Sequence, residues 1–298
     1  MADNPVPSGY PAIEAAFRAA RQRPPALQAT VHAAFRIIGT TEKTALENAA
    51  AIIAAAIDAH AATKPEPRYH NRHHVVETLW AMAWLCSIAV DQGLLSSHHA
   101  ALGVVAMVGH DMHHDGTATP GGVLEARARA VVPILHQAGV STADADILGD
   151  VIVGTEPSLA TANAGRLAGT LPTGPRGAAH DALRALANEA DVCASLLPGL
   201  GPTLSRRLAA EWAASTTPPT VDFGSACSRL AFLQSYPTAS PPAHRLGLAL
   251  ARAGCIAAYR EAGRHLAGTA TPESGCAALD LLPPDRAAQE YAAALDRA

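Results

Sequence analysis

The sequence is poor in aromatic and charged side chains, and this scarcity narrows the fold class. Aromatic residues make up 4% of the 298 residues and charged residues 16%, whereas apolar residues make up 49%, with alanine prominent among them. A β-sandwich would need more aromatic and β-branched residues, while alanine favours closely packed helices. Helical periodicity runs through most of the chain, without an alternating strand pattern of useful length. We therefore predict an all-α fold, a compact multi-helix bundle.

Long apolar runs and basic clusters are also missing, which bears on the partners to expect. The best candidate for a membrane span, residues 100–108, is far too short to cross a bilayer. The formal net charge is −4 and no run of basic residues is present, so we expect no nucleic-acid partner. The first residues lack the positive region and apolar core of a signal peptide. We expect a cytoplasmic protein with no membrane partner.

The five cysteines are an odd number at wide spacings, and none belongs to a C-x-x-C pair. A disulfide framework or a zinc knuckle is therefore not expected, and reduced thiols in a cytosol fit this usage best. The cysteines are Cys86, Cys193, Cys227, Cys255 and Cys276.

Proline and glycine breaks divide the chain into a central helical body with two appendages. We predict an N-terminal extension at 1–24, a catalytic body at 25–267 and a C-terminal helical tail at 268–298. The last segment of the tail is amphipathic, so it could dock on the body or on a partner, and a homodimer is left open.

Histidines are concentrated in one part of the chain, and their spacing suggests chemistry. Eight of the 14 lie between residues 70 and 114. His70 and His74 are four residues apart in a predicted helix, so both would lie on one face. His110 and His114 repeat this spacing in a later predicted helix.

Two carboxylates complete a candidate ligand set. Asp111 follows His110 directly, and Asp191 lies among alanine and valine on a third predicted helix. Imidazole and carboxylate are ligands for zinc, iron, manganese and magnesium, and helix bundles commonly hold metals between facing helices. The alternative is a set of buried polar groups that hydrogen-bond to one another. Four ligand-type residues in this order favour a metal site.

The order of these residues resembles that of the HD-domain metal-dependent phosphohydrolases, and most closely the class I 3′,5′-cyclic-nucleotide phosphodiesterases. Residues 69–74 look like the family's Y-H-N-x-x-H, and residues 110–116 are similar to its H-D-x-x-H-x-G. Shorter matches follow in the family's order at 123–125, 154–156, 190–192 and 228–233. The resemblance covers roughly residues 65–236 and implies an HD-type helical bundle with a metal site between helices.

The resemblance also implies a role for each matching residue. His74, His110, Asp111 and Asp191 would hold a tight zinc or iron, and Asp111 would bridge to a second ion, magnesium or manganese. His70 would be the general acid. His114 and Glu125 would belong to the catalytic group, ordering metal-bound water together with Thr155. The substrate-binding residues would be Asn71, Thr155, Arg229 and Phe232.

The chemistry implied is hydrolysis of a phosphoester by a metal-bridging hydroxide, and the expected substrate is a small-molecule phosphoester, with a 3′,5′-cyclic nucleotide as the leading class. Two cations lower the pKa of a bridging water and neutralise phosphoryl charge, while a histidine can protonate the leaving alkoxide. Arg229 occupies the place of a purine-reading glutamine. Because arginine only donates hydrogen bonds, we expect cyclic GMP or a more anionic ester to be preferred over cyclic AMP.

Three alternatives stay open from the sequence. The first is a phosphohydrolase acting on nucleoside monophosphates or another small phosphoester. The second is an HD-type di-iron oxygenase, which would need further histidine ligands, for which His113 and His136 are the obvious donors. The third is a ligand sensor without catalysis, which the presence of His70 argues against because a sensor needs no proton donor.

Overall fold

Fifteen α-helices form most of the regular structure in this computed structural model, which describes residues 6–40, 44–117, 123–215 and 222–298; no strand occurs among these residues. The predicted all-α class is confirmed. None of the helices in these ranges is long and apolar enough to cross a membrane. The helices are α1 (Tyr10–Arg21), α2 (Leu27–Ile37), α3 (Ala45–Ala61), α4 (Arg72–Asp91), α5 (Ser97–Gly109), α6 (Val123–Gln137), α7 (Thr142–Gly154), α8 (Ala160–Leu167), α9 (Ala178–Leu196), α10 (Gly201–Trp212), α11 (Ala226–Ser235), α12 (Pro241–Arg245), α13 (Leu248–Leu266), α14 (Pro272–Asp280) and α15 (Pro284–Arg297).

Helix α4 is enclosed by other helices and brings the candidate site together. It packs against α2, α5 and α9, and most of its side chains are buried, as expected for an enclosed helix. The close approach of α5 depends on Gly103, because a Cβ there would lie 2.5 Å from Met82 Cε on α4 and 3.0 Å from Leu183 Cδ2 on α9. Helices α4, α5 and α9, which carry or adjoin the predicted metal ligands, therefore pack close together.

The start of α4 is set by Asn71, and this determines where two of the histidines lie. The Asn71 side-chain oxygen accepts hydrogen bonds from the backbone N–H groups of His73 (3.0 Å) and His74 (3.3 Å), as a helix N-cap does. Its amide nitrogen donates to two carbonyls of the preceding loop. The helix thus begins at Arg72. The prediction that His70 and His74 share a helical face is wrong, because His70 precedes the helix.

The predicted N-terminal extension packs into the core of the body. Residues 1–5 of it lie outside the described ranges, but Ile13 and Phe17 of α1 are fully buried. The Phe17 ring stacks on Trp84 of α4 with ring centroids 5.7 Å apart. The predicted C-terminal tail also packs against the body, since the ring of Tyr291 in α15 lies against that of Tyr259 in α13 with ring centroids 5.2 Å apart. The predicted boundaries at 24 and 267 fall between helices, and one apolar core continues across both.

Arg21→Ala should lower the free energy of unfolding by about 3–5 kcal/mol, because it leaves a buried carboxylate without its partner. Arg21 Nε and Nη2 donate to the two carboxylate oxygens of Glu77 at 2.5 and 2.7 Å, and the Glu77 side chain is only 2% exposed. Urea unfolding followed by circular dichroism measures the loss. Arg18→Ala is the matched control, because its ion pair with Glu14 is exposed on the same helix and should contribute less than about 1 kcal/mol. Similar losses in both variants would contradict the prediction.

Two cysteines form a bond that the sequence did not suggest. Cys227 in α11 and Cys276 in α14 form a disulfide with their Cα atoms 4.8 Å apart. The expectation of five reduced thiols is therefore wrong for this pair, since packing of α11 against α14 joins residues 49 positions apart. The other three cysteines are free and buried.

Residues 241–266 form two helices, α12 and α13, because the chain turns at Gly247 with a φ of +75°.

Candidate metal centre

Four predicted ligands from separate parts of the fold meet at one point. His74 lies in the first turn of α4, His110 and Asp111 follow the end of α5, and Asp191 lies on α9. His74 Nε2 is 3.1 Å from Asp191 Oδ1 and 3.4 Å from Asp111 Oδ2. His110 Nε2 is 3.4 Å from each of the same two oxygens. The structure thus brings together the whole set on which the metal prediction rests.

The distances between the two imidazole nitrogens and the carboxylate oxygens suit one cation, and His74, His110 and Asp111 form the tightest group, with Asp191 beside the two imidazoles. Ligand atoms bound to an ion at roughly 2.0–2.2 Å lie about 3–3.5 Å from one another, and the measured separations are 3.1–3.4 Å. The donor atoms of His74, His110 and Asp111 lie within 4.8 Å of one another in the buried interior. A group of two imidazole nitrogens and two carboxylate oxygens is a donor set for zinc, iron or manganese.

Two of the four atoms have no other role in the described part of the chain. His110 Nε2 and Asp111 Oδ2 are buried and form no hydrogen bond with any described residue. His110 Nδ1 donates to the carbonyl of Met107 at 2.8 Å, which assigns the proton to Nδ1 and leaves the Nε2 lone pair facing the carboxylates. Buried polar atoms without partners are costly, and a bound cation would satisfy both.

Electrostatics also favours a positive charge at this point. Burial lowers the pKa of His74, but the neighbouring carboxylates of Asp111 and Asp191 outweigh burial and raise that pKa to about 10. Burial raises the pKa of Asp191, yet the imidazoles of His110 and His74 hold it well below the usual carboxyl value. The two carboxylates therefore stabilise positive charge on the imidazoles between them. A metal ion bound there would replace the imidazole protons.

The second oxygen of Asp111 has a different partner. Arg127 Nη1, from the second turn of α6, donates to Asp111 Oδ1 at 2.8 Å. Both side chains are largely buried, with 12% of Arg127 and 6% of Asp111 exposed. The sequence analysis assigned no role to Arg127. Residues 118–122, which connect the two partners, lie outside the described ranges.

His70 is held at the edge of the site by a residue that the sequence analysis missed. His70 Nδ1 forms a short hydrogen bond with Glu211 Oε1, and Glu211 Oε2 accepts from the backbone N–H of His70 at 3.1 Å and of Tyr69 at 2.6 Å. Burial raises the pKa of Glu211, but these hydrogen bonds bring it below its usual value. No local pattern marks Glu211, because it lies 141 residues from His70 on an amphipathic helix.

His114 lies against His70 as a neutral imidazole. The two rings are nearly parallel, with centroids 3.8 Å apart and an interplanar angle of 7°. His114 Nδ1 accepts a hydrogen bond from the backbone N–H of Gly116 at 2.8 Å, so the ring proton is on Nε2. Burial and the nearby charge of His70 lower the pKa of His114 to about 4. Its Nε2–H group can donate to an oxygen, while its ordering of metal-bound water stays a prediction.

An open cleft of about 700 Å³ leads to the site. His70, Asp111 and His114 line it, as do Lys64 and His113. The lining combines cationic side chains with the carboxylates of Glu66, Asp111 and Asp115.

A comparison of the chain with protein-family models and with curated proteins found no match.

Asn71 and Thr155 are placed where their polar groups serve the backbone. Asn71 lines the cleft, but its oxygen and nitrogen form the cap of α4. Thr155 is 3% exposed, and its hydroxyl donates to the carbonyl of Ile152 at 2.8 Å at the end of α7. Neither arrangement provides evidence for substrate binding.

The remaining predicted residues are not brought into the cleft. Arg229 is 3% exposed, and its Nη1 donates to the carbonyl of Ser195 at 2.7 Å. A guanidinium buried against the end of α9 cannot read a base edge in the cleft, so the prediction for Arg229 is corrected. Phe232 is half-buried and packs against Tyr236 at 5.3 Å, and it is not among the residues that line the cleft. Glu125 is exposed in the first turn of α6.

The histidines that an oxygenase would need as extra ligands do not join either candidate metal-binding group of the described residues. His113 has a φ of +61°, and its ring packs against His60 at 4.7 Å. His136 is exposed in the last turn of α6.

Proposed function

We propose that this chain is a metal-dependent phosphohydrolase that cleaves a small phosphoester. The observation that carries the proposal is the meeting of His74, His110, Asp111 and Asp191 around one point, beside an open cleft that Asp111 lines. The resemblance of the motifs to HD-domain phosphohydrolases supports the same chemistry. A 3′,5′-cyclic nucleotide is the first substrate class to test because of that resemblance.

The residues around the point suit this reaction. A divalent cation held by the four ligands would activate a water and neutralise phosphoryl charge. His70 is positioned to give a proton to the leaving oxygen, because Glu211 holds its Nδ1 and directs the other ring nitrogen away from that carboxylate. The His114 Nε2–H group supplies a further donor for a phosphoryl oxygen or a water.

An oxygenase is less well supported, because neither His113 nor His136 adds a ligand to the described site. The arrangement of His70 and Glu211 favours an enzyme over a ligand sensor, since an oriented proton donor serves a reaction.

A metal-dependent substrate panel tests the proposal. The protein is stripped of metal, reloaded separately with Zn²⁺, Fe²⁺, Mn²⁺ or Mg²⁺, and assayed with bis(p-nitrophenyl) phosphate, both purine 3′,5′-cyclic nucleotides and nucleoside monophosphates. We expect phosphate-ester cleavage that requires metal and that disappears in His110→Ala. His136→Ala should keep the activity, because this histidine is exposed in the last turn of α6 and does not line the cleft. Absence of cleavage of every ester by metal-loaded protein would contradict the proposal.

A further inference from the structure

The resemblance implies two ions, and the described residues supply a complete ligand set for only one. A second ion beside Asp111 would have to bind Asp111 Oδ1 together with His70 and His114, whose donor atoms form the only other such group among the described residues. Each of these three side chains already uses one of its possible metal-binding atoms in a hydrogen bond.

The two carboxylate oxygens of Asp111 have different surroundings. Oδ2 faces His74 and His110 at 3.4 Å, where the first cation fits. Oδ1 accepts a hydrogen bond from Arg127 Nη1 at 2.8 Å. A guanidinium stays charged at every physiological pH, so a dication on the same oxygen would meet a permanent like charge at close range, in an interior that screens it poorly.

His70 and His114 do not supply enough metal-binding atoms to hold a second ion without Asp111 Oδ1. A neutral imidazole has one lone pair, and His114 uses it to accept the N–H of Gly116 at 2.8 Å. The Nδ1 of His70 forms a hydrogen bond with Glu211, which leaves Nε2 as the single ring nitrogen of His70 that could bind a metal. One imidazole nitrogen is far short of the oxygen-rich octahedral set that magnesium requires.

We infer that Arg127 takes the place of the second metal ion, so that this centre is mononuclear and the second positive charge is a guanidinium fixed on α6. The inference rests on the metal centre of the proposed function. One dication and one guanidinium against two carboxylates leave a net positive charge for the phosphoryl group. Arg127 is thus a positioning residue that balances the charge of Asp111 and determines the metal content.

Metal stoichiometry tests this without any substrate. Metal-free protein is titrated with Mn²⁺, bound metal is measured by mass spectrometry after desalting, and electron paramagnetic resonance separates isolated from spin-coupled ions. Wild type should bind one Mn²⁺ per chain with the signal of an isolated ion. Arg127→Gln, which removes the charge but keeps a polar side chain, should bind two ions with a coupled signal.

Two further variants separate charge from structure. Arg127→Lys keeps the positive charge and should remain at one ion per chain. Arg129→Gln is the matched control, because Arg129 is exposed two residues along the same helix, and it should behave like wild type. Circular dichroism confirms that each variant is folded.

The outcomes distinguish this inference from the proposed function. Two coupled ions in wild type would overturn the inference and leave the phosphohydrolase proposal standing. A single ion in folded Arg127→Gln would also overturn it, since the guanidinium would then not be what excludes the second ion. Wild type that binds no metal would overturn both.

Discussion

Asp111→Asn will purify almost free of metal, with an affinity at least about 100-fold below that of wild type. Loss of a residue that merely supports a ligand typically costs 10–100-fold in affinity, and Asp111 is itself a predicted ligand. Its Oδ2 lies 3.4 Å from both His74 Nε2 and His110 Nε2. Asparagine has nearly the same volume and can still offer its oxygen to Arg127, so its amide nitrogen then faces the two imidazoles. That nitrogen has no lone pair for a metal.

Metal analysis and thermal unfolding measure the effect. Wild type should unfold at a higher temperature when metal is added, because a ligand that binds only the folded state stabilises it, by about 2.7 kcal/mol at 100 times Kd. Asp111→Asn should show no such rise. His113→Ala is the matched control, since this exposed histidine lies two residues away and packs against His60. Equal metal content in Asp111→Asn and wild type would exclude Asp111 as a ligand.

His70→Ala will keep its metal and lose turnover by about 10²–10⁴-fold on an ester with a poor leaving group, which is the usual contribution of a general acid. His70 is hydrogen-bonded to Glu211, and its ring lies 5.7 Å from the ring of His74. It is therefore close to the candidate metal position without belonging to the set of four candidate ligands. The loss should shrink with bis(p-nitrophenyl) phosphate, because nitrophenolate leaves without a proton.

Comparison of the two esters gives the decisive measurement. Glu211→Gln should show a smaller loss with the same dependence on the leaving group, because Glu211 acts by orienting His70. His73→Ala, one residue before the candidate ligand His74 and half-exposed, serves as the control and should keep both activities. Equal losses of His70→Ala on both esters would mean that His70 supports the structure and transfers no proton.

The candidate ligands could be predicted because their signals are local. Adjacent residues such as His110 and Asp111, and helices with strong periodicity, can be read from a few neighbouring positions. Asn71 illustrates the limit of such a signal. It was predicted to bind substrate from a motif, whereas its hydrogen bonds show that it caps α4 and places His74 in the first turn.

The residues that were missed depend on contacts between distant parts of the chain. Glu211 reaches His70 across 141 positions, and Arg127 reaches Asp111 from a different helix. Arg229 shows the opposite error. Its motif suggested a substrate pocket, and the packing of α11 buries its guanidinium against the carbonyl of Ser195. A motif specifies residue types, but the direction of a side chain depends on which helices surround it.

The sequence alone determined the helical class, because alanine-rich composition and helical periodicity act within a few residues of each position. It also determined the types and order of the four candidate ligands. Only the tertiary structure decided that these ligands meet at one point, that α1 belongs to the core, and that Cys227 bonds Cys276. It alone placed Arg127 on Asp111 and Glu211 on His70. The physical reason is that ligand geometry and buried ion pairs depend on where helices cross, and helix crossings are set by packing of the whole core.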